Sequence, residues 1–106
     1  MKIQIICIGK LKEKYWSEAL AEYMKRLSKY CDPQITELRE SKLPDKASAA
    51  DEEIVIDEEG KNILKHIKEG SYVVSLEIGG KALSSEELAE KIDDLALSGR
   101  SHITFI

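Results

Sequence analysis

The sequence predicts an α/β domain built on an open, mostly parallel sheet with helices on both faces. Segments with strand character alternate with amphipathic segments along the chain in the order βαβαβαβ. This alternation is typical of parallel sheets joined by right-handed crossovers. The 106 residues suit one domain, and the apolar share of 42% is normal for a globular protein.

The first half of the chain predicts a strand, a helix and a second strand. Residues 2–8 form an isoleucine-rich run that is typical of a strand buried on both faces. Apolar side chains recur at helical spacing over residues 14–30, which predicts a helix there. Asp32-Pro33 ends that helix, because proline cannot continue it. Residues 34–39 alternate in polarity, as a half-exposed strand does.

A second helix is predicted to start at Ser48, because Asp51 follows at the spacing of a helix-start signal. We expect it to end at Gly70. The Ile-Val-Ile run at residues 54–56 leaves a short strand open as an alternative. Gly60 costs this helix about 1 kcal/mol relative to alanine, which suggests that another backbone approaches closely there.

The last third of the chain predicts a strand, a helix and a further strand. Residues 71–78 form a clear strand. Ser84 and Glu87 have the spacing of a capping box, which predicts the start of a third helix. Gly99 ends that helix, and residues 102–106 predict the fourth strand.

The net charge of −4 is not typical of nucleic-acid-binding proteins, but the charge is distributed unevenly. Residues 1–30 contain seven Lys or Arg against three Glu, a local charge of +4, so residues 31–106 carry −8. A basic first third on an acidic body allows a local anionic partner.

Membrane, secretory and metal-binding classes find no support in the sequence. No apolar run approaches the roughly 20 residues that span a bilayer, and the first residues lack a signal-peptide pattern, so we expect a cytoplasmic protein. Cys7 and Cys31 lack metal-ligand spacing, as do His66 and His102, so no metal is expected. No nucleophile–base pair is recognisable, and no catalytic residue is assigned.

Ligands of open α/β sheets bind beyond the carboxyl ends of the strands. This rule selects four places: Gly9-Lys10, Glu40-Ser41, residues 77–81, and whatever follows Ile106. Phosphate-binding P-loop and dinucleotide fingerprints are absent from them. At the third place, Leu76 and a Gly-Gly turn offer an apolar edge for a flat adenine. Gly-Gly turns are also common before helices that bind no ligand.

Lys10, Lys12 and Lys14 stand at the amino end of the first predicted helix, where cations oppose the helix dipole. This placement favours an anionic ligand such as RNA phosphate, with a solvated lysine cluster as the alternative. Arg26 has a tyrosine one turn away on either side, so it is a candidate for stacking on a base or holding a phosphate. More commonly such an arginine only covers apolar surface.

Several segments, taken in chain order, resemble one known family. They are Met1-Lys2-Ile3, Gly9-Lys10-Leu11-Lys12, Trp16, Glu22-Tyr23-Met24-Lys25-Arg26-Leu27, Glu59-Gly60, Leu76-Glu77-Ile78-Gly79-Gly80-Lys81 and Ser84-Ser85-Glu86. The chain resembles, over its whole length, the large-subunit ribosomal RNA pseudouridine methyltransferase H (RlmH) family of the SPOUT, or α/β-knot, class.

The resemblance implies a homodimeric enzyme that moves a methyl group from S-adenosylmethionine to a ring nitrogen of a pseudouridine in 23S rRNA of the assembled ribosome. It implies that Leu76 contacts the cofactor. In the family, the other cofactor residues lie in loops of the trefoil knot, which follow the last strand seen here. We therefore expect residues 1–106 to be the N-terminal part of a single SPOUT domain, truncated before the knot. Because this segment supplies only one wall of the pocket, we expect weak cofactor binding and no activity from it alone.

Two other interpretations remain open at this point. The first is a non-catalytic α/β interaction module that associates with ribosomes or with itself. The second is an unrelated small doubly wound domain, which antiparallel pairing of the first and third strands would favour. Uncovered apolar surface on an open sheet predicts self-association for both the methyltransferase and the module.

Overall fold

The computed structural model describes residues 1–106 as four strands and three helices in the predicted alternating order. The strands are β1 (Lys2–Ile8), β2 (Asp32–Leu38), β3 (Tyr72–Val74) and β4 (His102–Phe105), and the helices are α1 (Lys14–Leu27), α2 (Ala49–His66) and α3 (Ser85–Leu97).

The strands form one sheet in the order β2-β1-β4-β3, and every neighbouring pair is parallel. The predicted open, parallel α/β sheet is therefore confirmed. Strand β1 pairs with β2 and β4 but not with β3, so the pairing that would favour an unrelated domain does not occur. Right-handed crossovers on this order predict α1 and α3 on one face and α2 on the other.

The core lies along β1 and β4, the two central strands. Ile103 and Thr104 are fully buried, and the Thr104 hydroxyl lies 2.6 Å from the Ser71 hydroxyl. Ile6, Leu38 and Leu95 complete the buried set, which contains only 5 of the 106 residues. The radius of gyration is 16.0 Å, whereas a compact domain of this length has about 13 Å. The molecule is open, and its helices leave much apolar surface uncovered.

Capping boxes start both later helices, as the sequence predicts. The Asp51 N–H donates to the Ser48 hydroxyl at 3.2 Å, and the Glu87 N–H donates to the Ser84 hydroxyl at 3.1 Å. Residues 54–56 lie inside α2, so the alternative of a short strand is wrong. The acidic first turn of α2 favours this outcome, because carboxylates stabilise the positive end of a helix.

Two helices end earlier than predicted. Helix α1 ends at Leu27 rather than at residue 30, and α2 ends at His66, four residues before Gly70. Gly70 instead forms the following turn with a φ of +83°. Strand β2 already starts at Asp32, because β2 is an edge strand and its Pro33 can do without a ladder hydrogen bond.

Strand β3 is shorter than the predicted strand at residues 71–78. Its pairing with β4 continues to Leu76, whose N–H donates to the Ile106 carbonyl at 2.7 Å. The following residues have no strand neighbour. At Gly60 the expected close backbone approach is absent, since no neighbouring atom lies within 4 Å of where a Cβ would be.

Candidate functional site

A large groove lies at the carboxyl ends of β1 and β2. The last paired residues of these strands are Ile8 and Leu38, and the Gly9 N–H donates to the Leu38 carbonyl at 2.7 Å. Two of the four places selected from the sequence therefore lie side by side. The groove has a volume of about 1040 Å³ and is lined by residues 9–12 and 37–43, and we call it the β1–β2 groove.

Four cations and two carboxylates line the β1–β2 groove, which gives it a local charge of +2 in a chain of net charge −4. The cations are Lys10, Lys12, Arg39 and Lys42, and the carboxylates are Glu37 and Glu40. None of these cations forms an ion pair, because the three ion pairs of the structure all lie within α1 or α2. Their charge is available to a ligand.

Two contacts hold the walls of the groove in place. The Ser41 N–H donates to the Glu59 carboxylate on α2 at 3.3 Å, which ties the loop after β2 to that helix. The Glu40 side chain packs over Gly9 so closely that a Cβ on Gly9 would lie 2.6 Å from its Oε1. Gly9 also has a φ of +82°, which favours glycine.

The structure separates the four residues predicted to contact RNA into two pairs. Lys10 and Lys12 line the β1–β2 groove. Lys14 and Arg26 lie on α1 and form ion pairs within the helix: Lys14 Nζ is 3.8 Å from Glu18, and Arg26 Nε is 3.0 Å from Glu22. Both are exposed on the helix surface.

Leu76, the predicted cofactor contact, follows β3 at the other edge of the sheet from β2. Its side chain is 69% exposed, and those of Ile78 and Leu83 are exposed as well. We call these three residues the β3 rim. Leu76 lines neither the β1–β2 groove nor the two smaller cavities of about 460 and 380 Å³.

His102 and Cys7 are titratable groups shifted by their surroundings. Burial lowers the pKa of His102, and the charges of Lys68 and Lys2 lower it further. Both ring nitrogens are buried without a hydrogen-bond partner. Burial raises the pKa of the Cys7 thiol, and Glu37 adds to this.

No group of three or more His, Cys, Asp or Glu side chains is placed to hold a metal ion. None of the three helices combines the length and the apolar character needed to cross a bilayer.

Arg39 and Lys42 are the groove residues that sequence reasoning missed. They belong to no motif, and neither lies in a helix or strand that makes its position predictable. The strand-end rule did select the adjacent Glu40-Ser41, so the available signal was the number of basic residues flanking that place.

Comparisons with known proteins agree with this fold. The profile of the family described as "Predicted SPOUT methyltransferase" matches residues 1–106. A protein of Clostridium novyi is 55% identical over all 106 residues, and proteins of Alkaliphilus oremlandii and Clostridium acetobutylicum are each 50% identical over the same residues. The match covers 100% of this chain and 67% of each relative, and all three are named ribosomal RNA large subunit methyltransferase H. The predicted resemblance is confirmed: the chain belongs to the SPOUT methyltransferase family and, within it, to the ribosomal RNA large subunit methyltransferase H (RlmH) group.

Proposed function

We propose that residues 1–106 are the N-terminal part of a single SPOUT domain that methylates a pseudouridine of 23S rRNA in the assembled ribosome, with S-adenosylmethionine as methyl donor. The observation that carries this proposal is the identity of 55% to a protein named for ribosomal RNA methylation, over the whole chain. The enzyme acts in the cytoplasm and as a homodimer.

The β3 rim suits one side of a site for the methyl donor. When bound, the donor would supply the methyl group of its sulfonium and leave as a neutral thioether, while the acceptor ring nitrogen gains the methyl group and its N–H proton passes to solvent. Leu76 presents an exposed apolar side chain against which a flat adenine can pack, and Gly79-Gly80 follow with space around Gly79. Because Leu76 is 69% exposed, the residues described here line only one side of that site. We therefore expect these residues alone to bind the donor weakly.

The chain's own contribution to the reaction is to position the reactants. Methyl transfer depends on holding donor and acceptor in line, and good positioning can contribute about 7 to 11 kcal/mol to a barrier. The proposed RNA contacts are Lys10, Lys12, Lys14 and Arg26, all within the basic first third of the chain. Phosphate contacts of this kind set register and orientation rather than chemistry.

Deletion of the gene tests the proposed reaction. We expect 23S rRNA from the deletion strain to lose one methyl group on a pseudouridine, as measured by mass spectrometry of rRNA fragments, and the intact gene to restore it. Unchanged methylation in the deletion strain would show the proposal to be wrong.

A pair of leucine variants tests the place of Leu76 in that reaction. Leu76→Asp in the gene should abolish the restored methylation. The substitution removes the apolar contact with the adenine and places a carboxylate where the adenine would displace its water. Leu64→Asp is the matched control, since Leu64 is 67% exposed on α2. Equal methylation with both variants would remove Leu76 from the cofactor site.

A further inference from the structure

We infer that the β1–β2 groove binds the sugar–phosphate backbone of RNA, as a docking surface separate from the β3 rim, with RNA as the partner resting on the function proposed above. The groove adds Arg39 and Lys42 to Lys10 and Lys12, and the inference assigns a role to this cavity of about 1040 Å³.

The local charge of the β1–β2 groove favours RNA binding. A chain of net charge −4 repels a polyanion at long range, so RNA binding has to depend on a local surface of opposite sign. The β1–β2 groove provides one, with four cations against two carboxylates. Three of the twelve cations outside the groove, Lys14, Arg26 and Lys61, form ion pairs with carboxylates of their own helices at the exposed surface. The groove cations have no such partner.

The size and lining of the groove also suit RNA. Because β1 and β2 are neighbouring strands, the segments that follow Ile8 and Leu38 leave the sheet side by side and line the groove together, with cations on each. The volume of about 1040 Å³ is at the upper end of the range for small-molecule sites, roughly 300 to 1,000 Å³, and exceeds what a single phosphate needs. Leu11 and Leu43 add apolar surface for a sugar or base beside the phosphates. These properties suit a stretch of polynucleotide.

The loops that line the groove are held in place before a ligand binds. The Glu59 carboxylate holds the Ser41 N–H on one wall, and the turn at Gly9 fixes the other. A ligand therefore meets cations on tethered loops, which lowers the entropic cost of binding.

The position of the groove determines which part of the RNA it holds. Strand β2 lies three strand spacings from β3, roughly 14 Å along the sheet. The groove therefore contacts nucleotides that flank the methylated base, and the base itself reaches the β3 rim. Contacts at this distance fix the register of the RNA without touching the reacting atoms.

Salt-dependent RNA binding by the full chain tests the inference. We would measure fluorescence anisotropy of a short labelled single-stranded RNA between about 50 and 200 mM salt, for the wild type and for Arg39→Gln/Lys42→Gln. Each lost phosphate contact lowers the slope of log K against log salt by about 0.7, so the double variant should lose about 1.4 in slope. When the two lines are taken to meet at 1 M salt, this corresponds to about 25-fold weaker binding near 0.1 M.

Two control variants isolate the groove from net charge and from folding. Lys65→Gln/Lys68→Gln removes the same charge at and just beyond the carboxyl end of α2, where Lys68 lies near the amino ends of the strands, and should keep the wild-type slope. Arg39→Lys/Lys42→Arg keeps the charge of the groove and should restore both affinity and slope. An unchanged slope in the Gln variant of the groove, or an equal loss in the α2 variant, would overturn the inference.

The assay requires no methyl donor, so its result is independent of the proposed reaction. Gene-dependent methylation together with wild-type RNA binding by the groove variant would refute the groove alone. A reduced slope together with unchanged methylation in the deletion strain would refute the reaction and support the groove.

Discussion

At the scale of single residues, His102 is a side chain whose surroundings disfavour its charged form. His102 is the first residue of β4, the strand between β1 and β3, and neither ring nitrogen has a hydrogen-bond partner. Burial lowers its pKa, and Lys68 and Lys2 oppose a further positive charge nearby. Folding therefore favours the neutral ring.

This has a definite consequence for stability against pH. Below the ordinary histidine pKa of about 6.5 the unfolded chain binds a proton that the folded chain resists, so the unfolding free energy falls as pH falls through that value. The loss continues down to the lower pKa of the folded state. Urea unfolding at several pH values between about 5 and 8 measures it.

His102→Leu should flatten this pH dependence, since the titrating group is removed. His66→Leu is the control, because His66 is exposed at the end of α2 and its Nδ1 lies 2.8 Å from the Asn62 carbonyl. The explanation fails when His102→Leu retains the full pH dependence.

At the scale of elements, two glycines of the helical segments have opposite roles. Gly99 follows α3 with a φ of +90°, its N–H donates to Ala96, and the Arg100 N–H donates to Leu95. These bonds form a Schellman motif, which requires the left-handed conformation. Gly60 lies inside α2 with open space where a side chain would begin.

Alanine substitutions at the two glycines should change stability in opposite directions. Gly99→Ala should lower the unfolding free energy by about 1 to 2 kcal/mol, because a Cβ is strained in the left-handed region. Gly60→Ala should raise it by roughly 0.5 to 1 kcal/mol, because alanine is the better helix former. Urea unfolding midpoints give both values. A loss of stability in Gly60→Ala would mean that another chain or segment approaches α2 in solution.

How far the sequence predicts each element depends on how local its determinants are. The capping boxes at Ser48 and Ser84 are written in four consecutive residues, so both helix starts were predictable. The length of β3 depends on a partner strand some thirty residues later, so no local pattern gives it. Pro33 predicts an interruption of regular structure, but β2 accommodates it because β2 is an edge strand. The order of the strands is not a local property either, so no local pattern predicts this position.

The candidate sites likewise depend on contacts between residues that are distant in sequence. The β1–β2 groove exists because β1 and β2 are neighbours in register, and only this pairing brings Arg39 and Lys42 beside Lys10. The strand-end rule and the apolar character of Leu76 made it a candidate adenine contact, and the family resemblance made it the predicted cofactor residue. The strand-end rule selects both places, but it does not predict which side chains meet there.

At the scale of the whole molecule, the structure leaves large apolar side chains on all three helices uncovered. Examples are Trp16 and Tyr23 on α1, Ile54 and Ile56 on α2, and Leu97 on α3. Exposed apolar surface of this extent is typical of proteins that associate with another molecule. A second copy of the chain is always present in solution and is the simplest partner.

We therefore expect the 11.9 kDa chain to self-associate. Sedimentation velocity should show a mass that rises with concentration, and sulfate should strengthen the association, since excluded salts favour apolar burial. An association based on charge would weaken with salt instead. A monomeric mass at all concentrations would contradict the prediction.

The central place of β4 has a consequence for how the protein is made. Lys2 pairs with His102, so β1 is synthesised a hundred residues before the central strand that completes its pairing. Until then β1 keeps an unpaired flank, and the deepest residues of the core, Ile103 and Thr104, are still unsynthesised. Contacts so distant in sequence are slow to form, so the nascent chain has a long interval in which a chaperone or a wrong strand can occupy that gap.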